Sequence, residues 1–142
     1  MSKITGKDGW VRYGSVVVAE MVEWSMSGFS QPVVQKDAAF TDTVATYEAA
    51  DVGDPGTIMF SGNWDPAATT SQDALATVCA AGTHLTNLYL YANTSTFWRV
   101  GSGGYIIVTR AQAVTLPRNN YGKISFEGQV SDAAMEKVGT GS

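Results

Sequence analysis

The sequence predicts a mainly β domain: an antiparallel β-sandwich or partial barrel with one packed α-helix. Three observations carry this. First, 15 glycines, 11% aromatic residues and only 15% charged residues describe short strands joined by turns, since soluble domains usually carry about 25% charge. Second, "KISFEGQVS" (123–131) alternates cleanly, with Ile124, Phe126 and Val130 on one face and Ser125, Glu127, Gln129 and Ser131 on the other. Third, a single segment has helical periodicity. At 142 residues and 44% hydrophobic content, the chain reads as one domain over residues 1–142, with an arm at 1–9 and a tail at 132–142.

The elements follow in order. Residues 10–13 read as a short strand before a turn at Gly14. "SVVVAEMVEWSMSG" (15–28) reads as one long strand ended by Gly28. Glu20 and Glu23 lie within it an odd number of positions apart, so on a regular strand they point to opposite faces. "QPVVQK" (31–36) is a short strand with Pro32 at its start. Residues 37–56, closed by the turn chemistry of "DVGDPG", are expected as a long loop or hairpin, and a segment of that length is usually functional. "GTIMFSGNWD" (56–65) is a strand with Ile58, Phe60 and Trp64 on one face and Gly62 as a close-approach position. The helix is expected over about 70–81, capped by Ser71 or Thr70, with Asp73 near its N-terminus and Gly82 ending it. Leu75, Val78 and Cys79 form its apolar stripe. "HLTNLYLYAN" (84–93), "TFWRVG" (96–101), "YIIVTRAQAVTL" (105–116) and residues 123–131 complete the strands.

The net charge of −4 is unevenly spread. Residues 37–98 contain no Lys or Arg, but hold Asp37, Asp42, Glu48, Asp51, Asp54, Asp65 and Asp73. The flanking parts are mildly basic. An acidic middle argues against binding phosphates, which wants clustered Lys and Arg. It fits either a solvated acidic loop or copies that meet head to tail.

Catalytic and metal chemistry find little support. His84 and Cys79 are the only residues of their kinds, and Cys79 sits on the helix stripe as a core residue. No Cys/His cluster has zinc spacing, "DVGDPG" lacks the bidentate Glu of a calcium loop, and "GSGG" lacks the Lys of a P-loop. A glycosidase pair needs two carboxyls facing each other about 5–9.5 Å apart, which opposite faces of one strand do not provide. No catalytic, cofactor or metal residue is assigned, and no enzyme activity is expected. No apolar run of about 18 residues predicts a membrane helix, and "MSKITGKDGW" lacks an apolar signal core, so cytoplasmic assembly is expected. One binding alternative stands: Tyr89 and Tyr91 share a face with Asn87 and Asn93, a mix suited to a carbohydrate-binding sandwich.

"GKDGWVRYGSVVVAEMVEWSMS" resembles the N-terminal signature of phage major tail tube proteins, through Gly6, Lys7, Gly9, Val11, Trp24 and Ser25. "GTIMFSGNWDP" resembles the strand before that family's helix, and "ISFEGQVSDAAMEKV" its closing strand. The resemblance covers most of the chain and rests on the order of these motifs. It implies six-membered rings stacked into a hollow tube, a fold shared with type VI secretion tubes. It implies tape-measure and tail-end proteins as partners, viral DNA passing through without specific binding, and a place in the virion tail. A type VI tube subunit is the other self-assembling reading. Within this picture Glu20, Glu23, Asp42, Glu48, Asp51 and Asp54 are expected on walls or interfaces, with residues 37–56 touching the next ring. Glu127 and Gln129 are the lumen candidates.

Overall fold

The computed structural model describes residues 9–36, 43–49 and 52–139. It is mainly β and antiparallel, a curled sandwich or half-barrel with one helix. The strands are β1 (Trp10–Tyr13), β2 (Val16–Val17), β3 (Met21–Met26), β4 (Val33–Gln35), β5 (Tyr47–Ala49) and β6 (Thr57–Asn63). After helix α1 (Gln72–Ala81) come β7 (His84–Leu85), β8 (Leu88–Tyr91), β9 (Phe97–Val100), β10 (Tyr105–Thr115), β11 (Lys123–Ser131) and β12 (Met135–Val138). One sheet has the order β12-β9-β8-β1-β2, the other β3-β6-β11-β10-β7, and β4-β5 form a separate ribbon.

The core lies between the two five-stranded sheets. Val11, Leu88, Leu90 and Val100 from the first meet Ile58, Phe60, Ile106, Ile124, Phe126 and Val130 from the second. Period-two alternation puts these side chains inward, and Phe60 stacks on Phe126 at 5.0 Å. Leu75 of α1 is fully buried, while Val78 and Cys79 pack at the margin of the core, half-buried.

The segment expected as one long strand is two. β2 belongs to the first sheet and β3 to the second, and the chain crosses between them at Ala19–Glu20. Glu20 has φ 61°, a left-handed conformation that costs a non-glycine residue about 1–2 kcal/mol. The start of α1 holds this crossing. The Gln72 amide donates to the Ala19 carbonyl at 2.9 Å and the Asn63 carbonyl at 3.1 Å, and its oxygen accepts the Asp65 N–H at 3.1 Å. Ser71 occupies the N-cap position but makes no side-chain cap; its hydroxyl accepts the Ala19 N–H instead. A hydroxyl already bonded across the fold is not free to turn back on its own helix. Gly82 ends the helix at φ 66° as expected.

Three further segments differ from their sequence reading. Residues 84–93 divide between sheets, because β7 pairs with β10 while β8 pairs with β1 and β9. Met135–Val138, inside the expected tail, forms a strand along β9, with Arg99 Nε donating to Glu136 at 2.9 Å. Trp64 follows the end of β6 and is partly exposed, rather than inward with Ile58 and Phe60. Gly62 is a close-approach position, since a Cβ there would collide with the Glu20 carbonyl and Met21 Cα.

The outer face of the first sheet carries an aromatic stack. Tyr91 lies between Trp10 (4.5 Å between centroids) and Phe97 (4.8 Å), and its carbonyl accepts the Trp24 indole N–H. Arg12 places its guanidinium 4.7 Å from the Tyr89 ring centre, a cation–π contact. Tyr91 is buried, so it offers no open face on which a sugar could stack.

Two predictions follow from this packing. Gln72→Ala strips the crossing of its buried partners and should lower unfolding free energy by about 2–4 kcal/mol, read as a lower urea midpoint at unchanged slope. Tyr91→Ala should cost about 3 kcal/mol in the same experiment, whereas a solvent-facing platform tyrosine would be close to neutral.

Candidate assembly surfaces

The outer face of the second sheet is built by the residues that alternate with the core. Cross-strand register sets Glu23, Ser61 and Ser125 in one row, and Ser25, Met59, Glu127 and Arg110 in the next. Thr57 and Gln129 pair beyond them. The face is therefore small and polar, with both signs of charge. It includes both lumen candidates. Glu127 is half-buried and lies opposite Arg110 on β10. Gln129 is held in place, its amide donating to the Gly56 and Val130 carbonyls at 3.0 Å each.

The same sheet has open borders. β3 is one edge. At the other, β7 pairs only with Ile106 and Ile107, so the rest of β10 runs past it. β10 is irregular there: its register shifts around Arg110, and Gln112 has φ 53°. The Gln112 amide donates to Asp73 of α1 at 2.6 Å. Bulges at a sheet border re-aim side chains and bend the strand.

The described parts of 30–54, residues 30–36, 43–49 and 52–54, form an arm at one end of β3 and β6. Ser30 and Asp54 exchange backbone hydrogen bonds at its base, 2.9 and 2.8 Å long, and β4 pairs with β5 beyond it. Successive strand residues point to opposite faces. Val33 and Val34 are successive, and they are 59% and 46% exposed. The Val33 face of the ribbon is thus apolar and uncovered among the described residues, whereas Val34 shares the other face with the Glu48–Lys36 ion pair. The Val33 face also carries Tyr47, which is exposed as well.

The wall and interface candidates fall in different places. Glu48 is on the arm, 3.7 Å from Lys36. Asp54 is absorbed by the base of the arm, where its carboxylate accepts the Gly56 N–H at 2.8 Å. Asp42 and Asp51 lie outside the described residues. Glu23 is on the polar outer face. Glu20 is at the opposite end of the sheet from the arm. The parity argument for Glu20 and Glu23 does not apply, because the strand breaks at Glu20 and the register shifts between Met21 and Glu23.

At that far end Glu20, Asn63, Trp64, Asp65 and Tyr121 line a cleft of about 540 Å³. The Trp64 N–H donates to the Gly122 carbonyl at 2.9 Å, and Gly122 lies beneath Leu116 and the Trp64 ring. Leu116 is 68% exposed and Tyr121 75%. The sequence reading did not single out this cleft. No local pattern marks it, because Trp64 reads as continuing the Ile58–Phe60 face and Leu116 as ending the strand at 105–116.

Among the described residues, no group of three or more His, Cys, Asp or Glu side chains is placed to hold a metal ion, and no helix is long and apolar enough to cross a membrane.

No protein-family model and no curated protein matches the sequence. Solved structures do. A chain of the native gene transfer agent virion superposes with a TM-score of 0.68 at 13% identity, over 96% of this chain and 99% of that one. A chain from the tail of an empty gene transfer agent particle, treated with helical and C6 symmetry, gives 0.67 at 15% identity over 94% and 98%. A chain of an extracellular contractile injection system, from its sheath–tube complex in the extended state, gives 0.64 at 11% identity over 96% and 93%. The chain therefore has the fold of these gene transfer agent and contractile injection system chains.

Proposed function

We propose that this protein is a structural tail tube subunit of a virion. Copies close into six-membered rings, the rings stack into a hollow tube, and viral DNA leaves through the bore without specific binding. Tape-measure and tail-end proteins are its further partners, and assembly takes place in the host cytoplasm. The chain acts by shape and carries no catalytic role.

The observation that carries this reading is the second sheet. It packs a core on one face, presents a polar face on the other, and ends in strand edges with no further strand paired, at β3 and, beside α1, along β10 past Ile107. An open sheet edge is a template for pairing with another chain, and closing a ring of such sheets removes every edge. The outer face, with Glu23, Ser25, Ser61, Ser125, Glu127 and Gln129, then lines the bore. Glu23 and Glu127 against Arg110 leave it without the dense cations that would hold phosphates. The arm, with Glu48 and the sequence's Asp42 and Asp51, reaches the next ring. The likeness to a tail chain treated with C6 symmetry supports the ring count.

An injection-system tube is the second reading, supported by the likeness to the contractile injection system chain. Finding the protein in purified DNA-filled particles, rather than in particles free of nucleic acid, separates the two.

Electron microscopy of concentrated protein should show sixfold rings or tubes; a monomer at every concentration overturns the proposal. Val33→Asp with Val34→Asp should leave monomer stability within about 0.5 kcal/mol, as expected for exposed positions. The same variant should abolish tubes. Tubes of normal yield from it would remove the arm from assembly.

A further inference from the structure

We infer that the cleft lined by Glu20, Asn63, Trp64, Asp65 and Tyr121 receives the arm of a second copy of this chain, with Tyr47 as the anchor. This rests on the tube reading and adds to it the receiving surface and the residue that enters it.

Position is the first argument. The arm leaves one end of β6 and the cleft opens at the other, seven strand residues away, or roughly 20 Å. Copies stacked along the strand direction therefore bring arm and cleft together. One chain cannot fold its own arm that far, because the Ser30–Asp54 pair and the Ser27–Thr57 hydrogen bond anchor its base.

Chemistry is the second. The arm face formed by Val33, Gln35, Tyr47 and Ala49 is apolar apart from one amide and one phenol. The cleft has apolar walls in Trp64 and Tyr121, with Leu116 beside them. Its remaining lining, Glu20, Asp65 and Asn63, is rich in acceptors. A tyrosine suits such a site: the ring stacks on the walls and the hydroxyl donates to a carboxylate. Charge is the third. The arm sequence sets Asp37, Asp42, Glu48, Asp51 and Asp54 against Lys36 alone. Arg118 and Lys123 flank Tyr121 in sequence, and Lys123 reaches the cleft residue Asn63 at 3.1 Å. These cations meet the acidic arm outside the apolar contact.

Two experiments test this. In the first, Val33→Cys and Tyr121→Cys are combined with Cys79→Ser, tubes are assembled, and the sample is oxidised. A ladder of disulfide-linked chains on a non-reducing gel is expected. Tubes that form and stay unlinked overturn the cleft and leave the tube reading standing. The second is a double-mutant cycle on the critical concentration for assembly. Tyr47→Ala and Tyr121→Ala should each raise it about tenfold, Tyr47→Phe should raise it less, and the double variant should add little to either single one. Fully additive effects overturn the contact, and this arm decides even if the cysteine variant fails to assemble. If the native chain forms neither rings nor tubes, the tube reading falls and this inference with it.

Discussion

Everything peripheral in this molecule hangs on one buried amide. Gln72 is fully buried and spends both of its polar atoms on backbone groups of the β2–β3 crossing and of the end of β6. Without such partners, the Ala19 and Asn63 carbonyls and the Asp65 N–H would be left unpaired away from water. The same node fixes the left-handed turn at Glu20, whose carbonyl accepts the Asn63 N–H at 2.9 Å. Gly62 then lets β3 pass close over β6. So one side chain joins the two sheets, seats the helix across them and shapes the cleft that lies beside it.

The second sheet shows why a fold of this kind resists a simple inside–outside reading. Its inner face is buried throughout, from Ile58 and Phe60 to Ile106, Ile124, Phe126 and Val130. Its outer face is neither a hydrophobic interface nor a highly charged solvent surface. Serines, a threonine, Met59 and a few balanced charges occupy it. Low overall charge, 15% of residues, is the compositional trace of that arrangement. Charged side chains are sparse because the face tolerates water without having to keep copies apart.

The legible parts of the fold were those governed by local chemistry. Alternation in residues 123–131 foretold β11 and its inward Ile124, Phe126 and Val130, and Gly82 foretold the helix end. Gly62 was readable as a close approach because little else explains a glycine inside that strand. The break at Glu20 was not readable. Its cause is Gln72, more than fifty residues away in sequence, and nothing near Glu20 announces a turn. Residues 84–93 misled for a similar reason: the change of sheet between Leu85 and Leu88 is set by which neighbours are free to pair, not by propensity. Of the candidate surface, the outward placement of Glu127 and Gln129 was legible from alternation, whereas that of Glu23 was not, because the register shifts between Met21 and Glu23. Asp54 was legible only as an acid, because its engagement by the Gly56 N–H depends on the turn geometry. The cleft was invisible because Glu20, Trp64 and Tyr121 meet only in three dimensions.

The arm poses a physical problem that its charge answers. A two-stranded ribbon is at best marginally stable alone, and one with an uncovered apolar face, here Val33, Tyr47 and Ala49, invites pairing with any similar ribbon. The closest similar ribbon is the arm of another copy. Two arms brought together would crowd their acids, since five carboxylates face a single lysine across residues 30–54. Like charges in contact oppose that association. In the proposed tube, that leaves a contact between the arm and a different surface, which is heterologous by definition. A heterologous contact along one axis does not close on itself, so it propagates. The acidic excess, which on sequence fits either a solvated loop or head-to-tail copies, would in the proposed tube act as a choice of geometry that disfavours paired arms and favours stacking.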